Sequence, residues 1–138
     1  MPDVLVDSNV LLDVLTENRR WYDWSAGRLA ELADTSELVI SPLIYSEVSV
    51  GFETLEALDE ALSPRWFRRD PLPWAAGFLA GKCFRKYRQA GGTRRSPLPD
   101  FYIGAHAAIM EMRLLTRDAR RYRTYLPKLE VISPDEIP

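Results

Sequence analysis

Val4-Leu5-Val6-Asp7-Ser8-Asn9-Val10-Leu11-Leu12 decides the architecture of the chain. Val4-Leu5-Val6 is an apolar, β-branched run of the length of a buried strand. Asp7-Ser8-Asn9 supplies the side-chain acceptors that start a helix, which then runs through Val10-Leu11-Leu12 to about Leu15. A strand that passes straight into a helix is the building step of a parallel α/β sheet, and it leaves Asp7 at the strand's carboxyl end.

The same hand-over recurs. Glu37-Leu38-Val39-Ile40 is the next strand, and Ser41-Pro42, a capping residue followed by a proline suited to the first helical position, begins a helix holding Tyr45, Glu47, Val48 and Phe52. Arg113-Leu114-Leu115-Thr116 is a short strand, with a brief helix from Asp118 to about Tyr125 behind it, and Leu129-Glu130-Val131-Ile132 is a last strand. Helices are predicted over Trp21–Asp34, Thr54–Leu62 and Trp74–Gln89, the last stopped by Gly91-Gly92, and from Asp100 to about Met112. Residues 93–99, rich in proline, form an exposed loop. The order βαβα, helices, βαβ implies parallel strands, four or five in all, with helices on both faces.

A chain of 138 residues, 46% hydrophobic and 28% charged, suits one domain over residues 1–138. No stretch approaches the roughly 20 apolar residues that span a bilayer, and the first residues lack a secretory pattern, so the expected location is the cytoplasm, off the membrane. The lone Cys83 permits neither an internal disulfide nor a cysteine zinc site. Charge is split: residues 1–63 carry −10 and residues 64–138 carry +8. Basic residues gather at Lys82, Arg85, Lys86, Arg88, Arg94 and Arg95, and again at Arg113, Arg117, Arg120, Arg121, Arg123 and Lys128, either as solvated helix faces or as a surface for nucleic acid.

Four acids fall where this topology makes ligand sites. Strand-to-helix turns line up along the carboxyl edge of a parallel sheet, which is where ligands bind. Asp7 and Asp118 follow strands there, and Asp100 starts the helix leading into the Leu114–Thr116 strand. Glu47 lies inside its helix, five residues and about 7.5 Å from Pro42, and a Glu leaning toward the helix start closes much of that gap. Each acid alone also suits a helix cap or a solvated helix position. Asp100, however, shares its side of the helix with Ile103, Gly104, Ala107 and Ala108, where a bare carboxylate is costly. Clustered carboxylates repel, and a hard cation such as Mg²⁺ or Mn²⁺ removes that repulsion. His106 points about 240° away from Asp100 and is structural, and Glu111 is about 16 Å along the helix, out of reach. No phosphate loop of the Walker type or serine elbow occurs.

Leu5-Val6-Asp7-Ser8-Asn9-Val10-Leu11-Leu12, Ser41-Pro42 leading to Ser46-Glu47-Val48, Pro99-Asp100-Phe101-Tyr102-Ile103-Gly104-Ala105 and Leu114-Leu115-Thr116-Arg117-Asp118 together resemble the motifs of PIN-domain ribonucleases, with the small VapC-type toxins closest in length. The resemblance implies a three-layer α/β/α fold with a central, mostly parallel sheet and Mg²⁺- or Mn²⁺-dependent cleavage of RNA. It makes Asp7, Glu47, Asp100 and Asp118 the catalytic, metal-holding quartet and Ser8, Asn9 and Thr116 its polar supports. It also implies a cognate antitoxin as partner and a homodimer. Under it, a cation would lower the pKa of a water that attacks the scissile phosphorus. Arg94, Arg95 and Arg117 are candidates for phosphate contacts. Two alternatives differ in class: a receiver-like phosphoacceptor, for which a paired acidic dipeptide after the first strand and a Lys after the last are missing, and a catalytically silent PIN-like module that binds RNA or protein. Residues 54–96 match none of the motifs.

Overall fold

Strand β1 (Val4–Val6) lies at the centre of the sheet and is buried on both faces, so all three of its residues are apolar and none alternates with a polar one. It pairs in parallel with β2 (Leu38–Ile40) on one side and with β4 (Arg113–Leu115) on the other. The outer positions are taken by β3 (Arg68–Arg69) and β5 (Val131–Ile132), giving the order β3-β2-β1-β4-β5, parallel throughout. The structure, a computed structural model, describes residues 2–134. Met1 and residues 135–138, the ends of the unit expected over 1–138, lie outside the described residues.

Three helices begin at side-chain caps where the sequence places their starts. Asp7 caps α1 (Ser8–Leu15), Ser41 caps α3 (Pro42–Ser49) by accepting from the Ile44 amide, and Thr54 caps α4 (Leu55–Ala61) by accepting from the Ala57 amide. Between α1 and β2 lies α2 (Tyr22–Ala33). Helix α5 (Trp74–Gln89) stops at Gly91, whose φ of +98° suits glycine and little else. Helix α6 (Pro99–Ile109) starts one residue before Asp100 and ends three before Met112. Helix α7 (Arg120–Tyr125) starts two residues later than expected, because Asp118 lies in the preceding turn and its carboxylate takes the Arg120 amide instead of entering the helix.

One strand was not legible. β3 consists of two arginines, without an apolar run, and is held by its register against Val39 and Ile40. Its side chains are neutralised by Asp3, Asp70 and Asp59. A short, charged edge strand of this kind discourages further strand addition.

Two apolar clusters hold the layers together. The larger joins the sheet to α1, α3 and α6 through residues such as Leu5, Val10, Ile44, Ile103 and Leu114. The smaller lies between α5 and α6, where Ala76, Ala80 and Ala105 let the helices approach and Phe101 and Leu126 fill the space beside them. Among the described residues no helix is long and apolar enough to cross a membrane.

Gly104 allows α7 to close on α6. A Cβ there would lie 2.5 Å from Leu126 Cδ1 and 2.9 Å from the Tyr122 ring. Gly104→Ala should therefore push Tyr122 outward and destabilise the fold by about 1–3 kcal/mol, read as a drop of several degrees in Tm by thermal denaturation.

Candidate active site

The chain works outward from β1 to β2 and β3, then returns across the sheet to β4 and β5. The reversal falls between β1 and β4, and ligands of open parallel sheets bind at the carboxyl side of such a reversal. Asp7 leaves β1 at this point and Thr116 leaves β4 beside it, with the Asp7 amide donating to Leu115 O at 2.9 Å.

Asp7 is 4% exposed, and its carboxylate is met by three donors. Oδ1 accepts from the Ser8 amide at 2.8 Å, while Oδ2 accepts from the Thr116 and Tyr122 hydroxyls, each at 2.9 Å. Thr116 is fully used: it donates to Asp7 and accepts from Asn9 Nδ2 at 3.1 Å and from the Asp118 amide at 3.3 Å. Asn9 Oδ1 in turn accepts from the Arg117 amide at 3.0 Å. These donors do not offset burial. Loss of water raises the Asp7 pKa from 3.8 to about 6, opposed by the Thr116 and Tyr122 hydroxyls and assisted by the charge of Asp100.

Glu47 reaches the same edge from α3. Its Oε1 accepts from Ser8 Oγ at 2.9 Å, so Ser8 joins two acids, one through its amide and one through its hydroxyl. Burial raises the Glu47 pKa, and Asp100 raises it further against the Ser8 hydrogen bond. Burial and then the charges of Asp7 and Asp100 lift the Tyr122 phenol well above its ordinary value, with Glu47 adding in the same direction. Asp7, Glu47 and Asp100 thus share one electrostatic neighbourhood around the Tyr122 hydroxyl.

Asp118 stands apart from that group. Its carboxylate turns outward to a two-point contact with Arg120, at 3.2 Å on each oxygen, which holds its pKa below the usual carboxylate value. Asp100 accepts from Arg121 Nη1 at 3.1 Å. Its side chain is 35% exposed, at the rim of the apolar stripe and not within it, so the cost of burial expected for Asp100 falls on Asp7 instead. Among the described residues no three Asp, Glu, His or Cys side chains are arranged to hold one metal ion. The oxygen-only donors and the unrelieved repulsion around Asp7 suit a hard cation in chemistry, while arginines now serve as the counter-ions of Asp100 and Asp118.

Arg117, a candidate for a phosphate contact, is engaged within the fold. Its guanidinium makes a two-point bond, 2.9 Å on each oxygen, to Asp13, whose side chain is 2% exposed and also accepts from Ser25 Oγ at 2.8 Å. Trp21 lies under the same guanidinium at 5.4 Å. Asn9 and Asp13, one helical turn apart on α1, therefore grip the turn that carries Asp118. Arg94 and Arg95 are exposed on a loop tied to the end of α5 by Arg88, which donates to Arg94 O. His106 is buried, with no hydrogen-bond partner on either ring nitrogen among the described residues, and burial lowers its pKa against the charge of Asp70.

Tyr122, Asp13, Arg120 and Arg121 are the residues at this edge that sequence patterns did not single out. Tyr122 reads as an apolar helix residue until its hydroxyl is seen on Asp7. The two arginines sit within a basic run that offers no way to choose among its members. Asp13 follows Leu11-Leu12 on the helix and is separated from its partner by 104 residues.

Two measurements test this electrostatic arrangement. The folded state binds the Asp7 proton more tightly than the unfolded chain does, so this group's contribution is full below about pH 3.8 and declines as pH rises to about 6. Asp7→Asn should accordingly be more stable than the parent protein at pH 7 without divalent cations, by up to about 3 kcal/mol in denaturant unfolding, with the difference vanishing near pH 4. Arg117→Ala leaves a buried, unpaired Asp13 and should cost about 3–5 kcal/mol. A variant with unchanged stability and weakened RNA binding would instead favour Arg117 as a phosphate contact.

Comparison with known proteins agrees with this geometry. The PIN domain family matches residues 4–126. No curated protein matches the chain. Among solved structures the chain is similar to VapBC2 from Rickettsia felis bound to a promoter DNA fragment, with 18% identity and a TM-score of 0.71 over 94% of this chain and 97% of that one. VapBC-1 from nontypeable Haemophilus influenzae is similar at 19% identity and a TM-score of 0.71, over 94% and 96% of the two chains. A toxin–antitoxin complex from Klebsiella pneumoniae is similar at 21% identity and a TM-score of 0.71, over 98% and 100%. With its parallel sheet, its buried Asp7 at the sheet reversal and a match over most of its length, the chain belongs to the PIN domain family.

Proposed function

We propose that the protein is an endoribonuclease of VapC type, the toxin of a toxin–antitoxin pair, acting in the cytoplasm with Mg²⁺ or Mn²⁺. The observation that carries this is the Asp7 carboxylate, buried at the sheet reversal, raised in pKa, within the field of Asp100 and joined through Ser8 to Glu47. A site that only positioned a helix would not require three acids to share one neighbourhood.

Asp7, Glu47 and Asp100 are the residues that would hold the cation, and Asp118 would join them on leaving Arg120. Bound there, a divalent cation supplies charge neutralisation and Lewis acidity toward a phosphodiester. The chain's own groups do the rest. Ser8 fixes the spacing of Asp7 and Glu47, while Thr116 and Tyr122 orient the Asp7 carboxylate and leave a lone pair of Oδ1 available. His106, which is buried, is given no role in proton transfer. The likeness to toxin–antitoxin structures supports a cognate antitoxin as partner, and a homodimer is part of the same proposal.

Sequencing RNA 5′ ends after expression, with purified protein assayed against Mg²⁺ and Mn²⁺, tests this function. Asp7→Asn and Asp100→Asn should each lose at least about 100-fold in cleavage while keeping the fold by circular dichroism. Near wild-type, metal-dependent cleavage by Asp100→Asn would remove Asp100 from the site. RNA binding by the parent protein without cleavage at any metal concentration would favour the silent binding module instead.

A further inference from the structure

The arginines at the acid edge are of two kinds. Arg117 is fixed: its partner Asp13 is buried and both hydrogen bonds are 2.9 Å. Arg120 and Arg121 are held far more loosely. The Arg120 side chain is 91% exposed and its hydrogen bonds with Asp118 are both 3.2 Å long. Arg121 makes one, at 3.1 Å, with an Asp100 side chain that is itself partly exposed. Exposed ion pairs of this sort contribute little to stability and exchange readily. All four side chains line one cavity of about 390 Å³ together with Thr124 and Tyr125. A guanidinium fork accepts a phosphate in the same two-point geometry as a carboxylate.

We propose that Arg120 and Arg121 are the phosphate-holding groups of this site, parked on Asp118 and Asp100 in the free protein and transferred to a backbone phosphate of single-stranded RNA. The proposal rests on the nuclease function above and names the side chains that hold its substrate. Asp100 and Asp118 then have two alternating uses: storing the arginines while RNA is absent, and being vacated by them when it binds. The cavity places both arginines beside Asp100, whose charge acts on Asp7 and on Glu47, so a phosphate they hold lies next to that acid.

A coupling experiment without metal separates this exchange from simple charge repulsion. Binding of a fluorescein-labelled single-stranded RNA is measured by anisotropy in EDTA, where cleavage does not intervene, over a series of salt concentrations. Asp100→Asn combined with Asp118→Asn frees both arginines and should tighten binding about fivefold or more. Adding Arg120→Ala and Arg121→Ala should cancel that gain and reduce the slope of log K against log salt by about 0.7 for each phosphate no longer neutralised. Arg120→Lys with Arg121→Lys, which keeps the charge and loses the fork, should retain less than half of the gain. Arg85→Ala, on the outward face of α5, measures the loss of one charge away from the acids and should leave the gain intact. If the Asp→Asn gain persists undiminished without Arg120 and Arg121, the carboxylates act by repulsion alone and the proposal is overturned. RNA that the parent protein cleaves, with no such coupling, overturns this subsite and leaves the nuclease function standing. RNA that is neither bound nor cleaved by any of these proteins overturns both.

Discussion

The carboxylate of Asp7 has been taken out of water, and the carboxyl edge is arranged around that fact. Burying a charge is tolerated only where donors surround it. Here the donors come from three places: the next residue along the chain, the end of β4 and the middle of α7. The parallel pairing of β1 with β4 brings the Thr116 hydroxyl into reach. The absence of a side chain at Gly104 lets Tyr122 come close enough to donate. The donors are still insufficient to hold the carboxyl near its ordinary pKa. The residual imbalance is what a divalent cation would relieve under the proposed function.

The parts of the fold that could be read from sequence are those in which local chemistry and tertiary placement agree. Val4-Leu5-Val6 before Asp7, and Leu38-Val39-Ile40 before Ser41-Pro42, combine an apolar run with a cap, so both elements and their boundary were legible. Asp7 and Glu47 follow from that topology. What stayed hidden depends on distant partners. Arg68 and Arg69 form a strand only because β2 offers an edge. Arg117 looks like any other arginine of a basic run until Asp13, 104 residues away, is seen beneath it. Asp118 was legible in place and not in direction, because an exposed neighbour, Arg120, decides where its carboxylate points.

The opposite charges of the two halves of the chain partly neutralise each other. Asp13 pairs with Arg117, Asp3 with Arg68 and Asp59 with Arg69, each a first-half acid joined to a second-half arginine. The basic half is therefore not simply a surface turned toward RNA. Some of its charge sews the sheet together, and the portion available at the acid edge is smaller and more specific than a count of arginines suggests. Side-chain exposure, not formal charge, separates Arg117, which is paired with the buried Asp13, from Arg120, which is 91% exposed.

The distance along the chain between Asp7 and its hydroxyl donors has a consequence for biosynthesis. Thr116 is 109 residues away and Tyr122 is 115. At ~5–20 residues per second, a ribosome makes Tyr122 roughly 6–23 seconds after Asp7. Until then β1 lacks its β4 neighbour and the acidic residues have no common edge to occupy. Long-range closure of this kind is slower than local helix formation, so under the proposed function the polypeptide would gain its site only after β4 and α7 have been made.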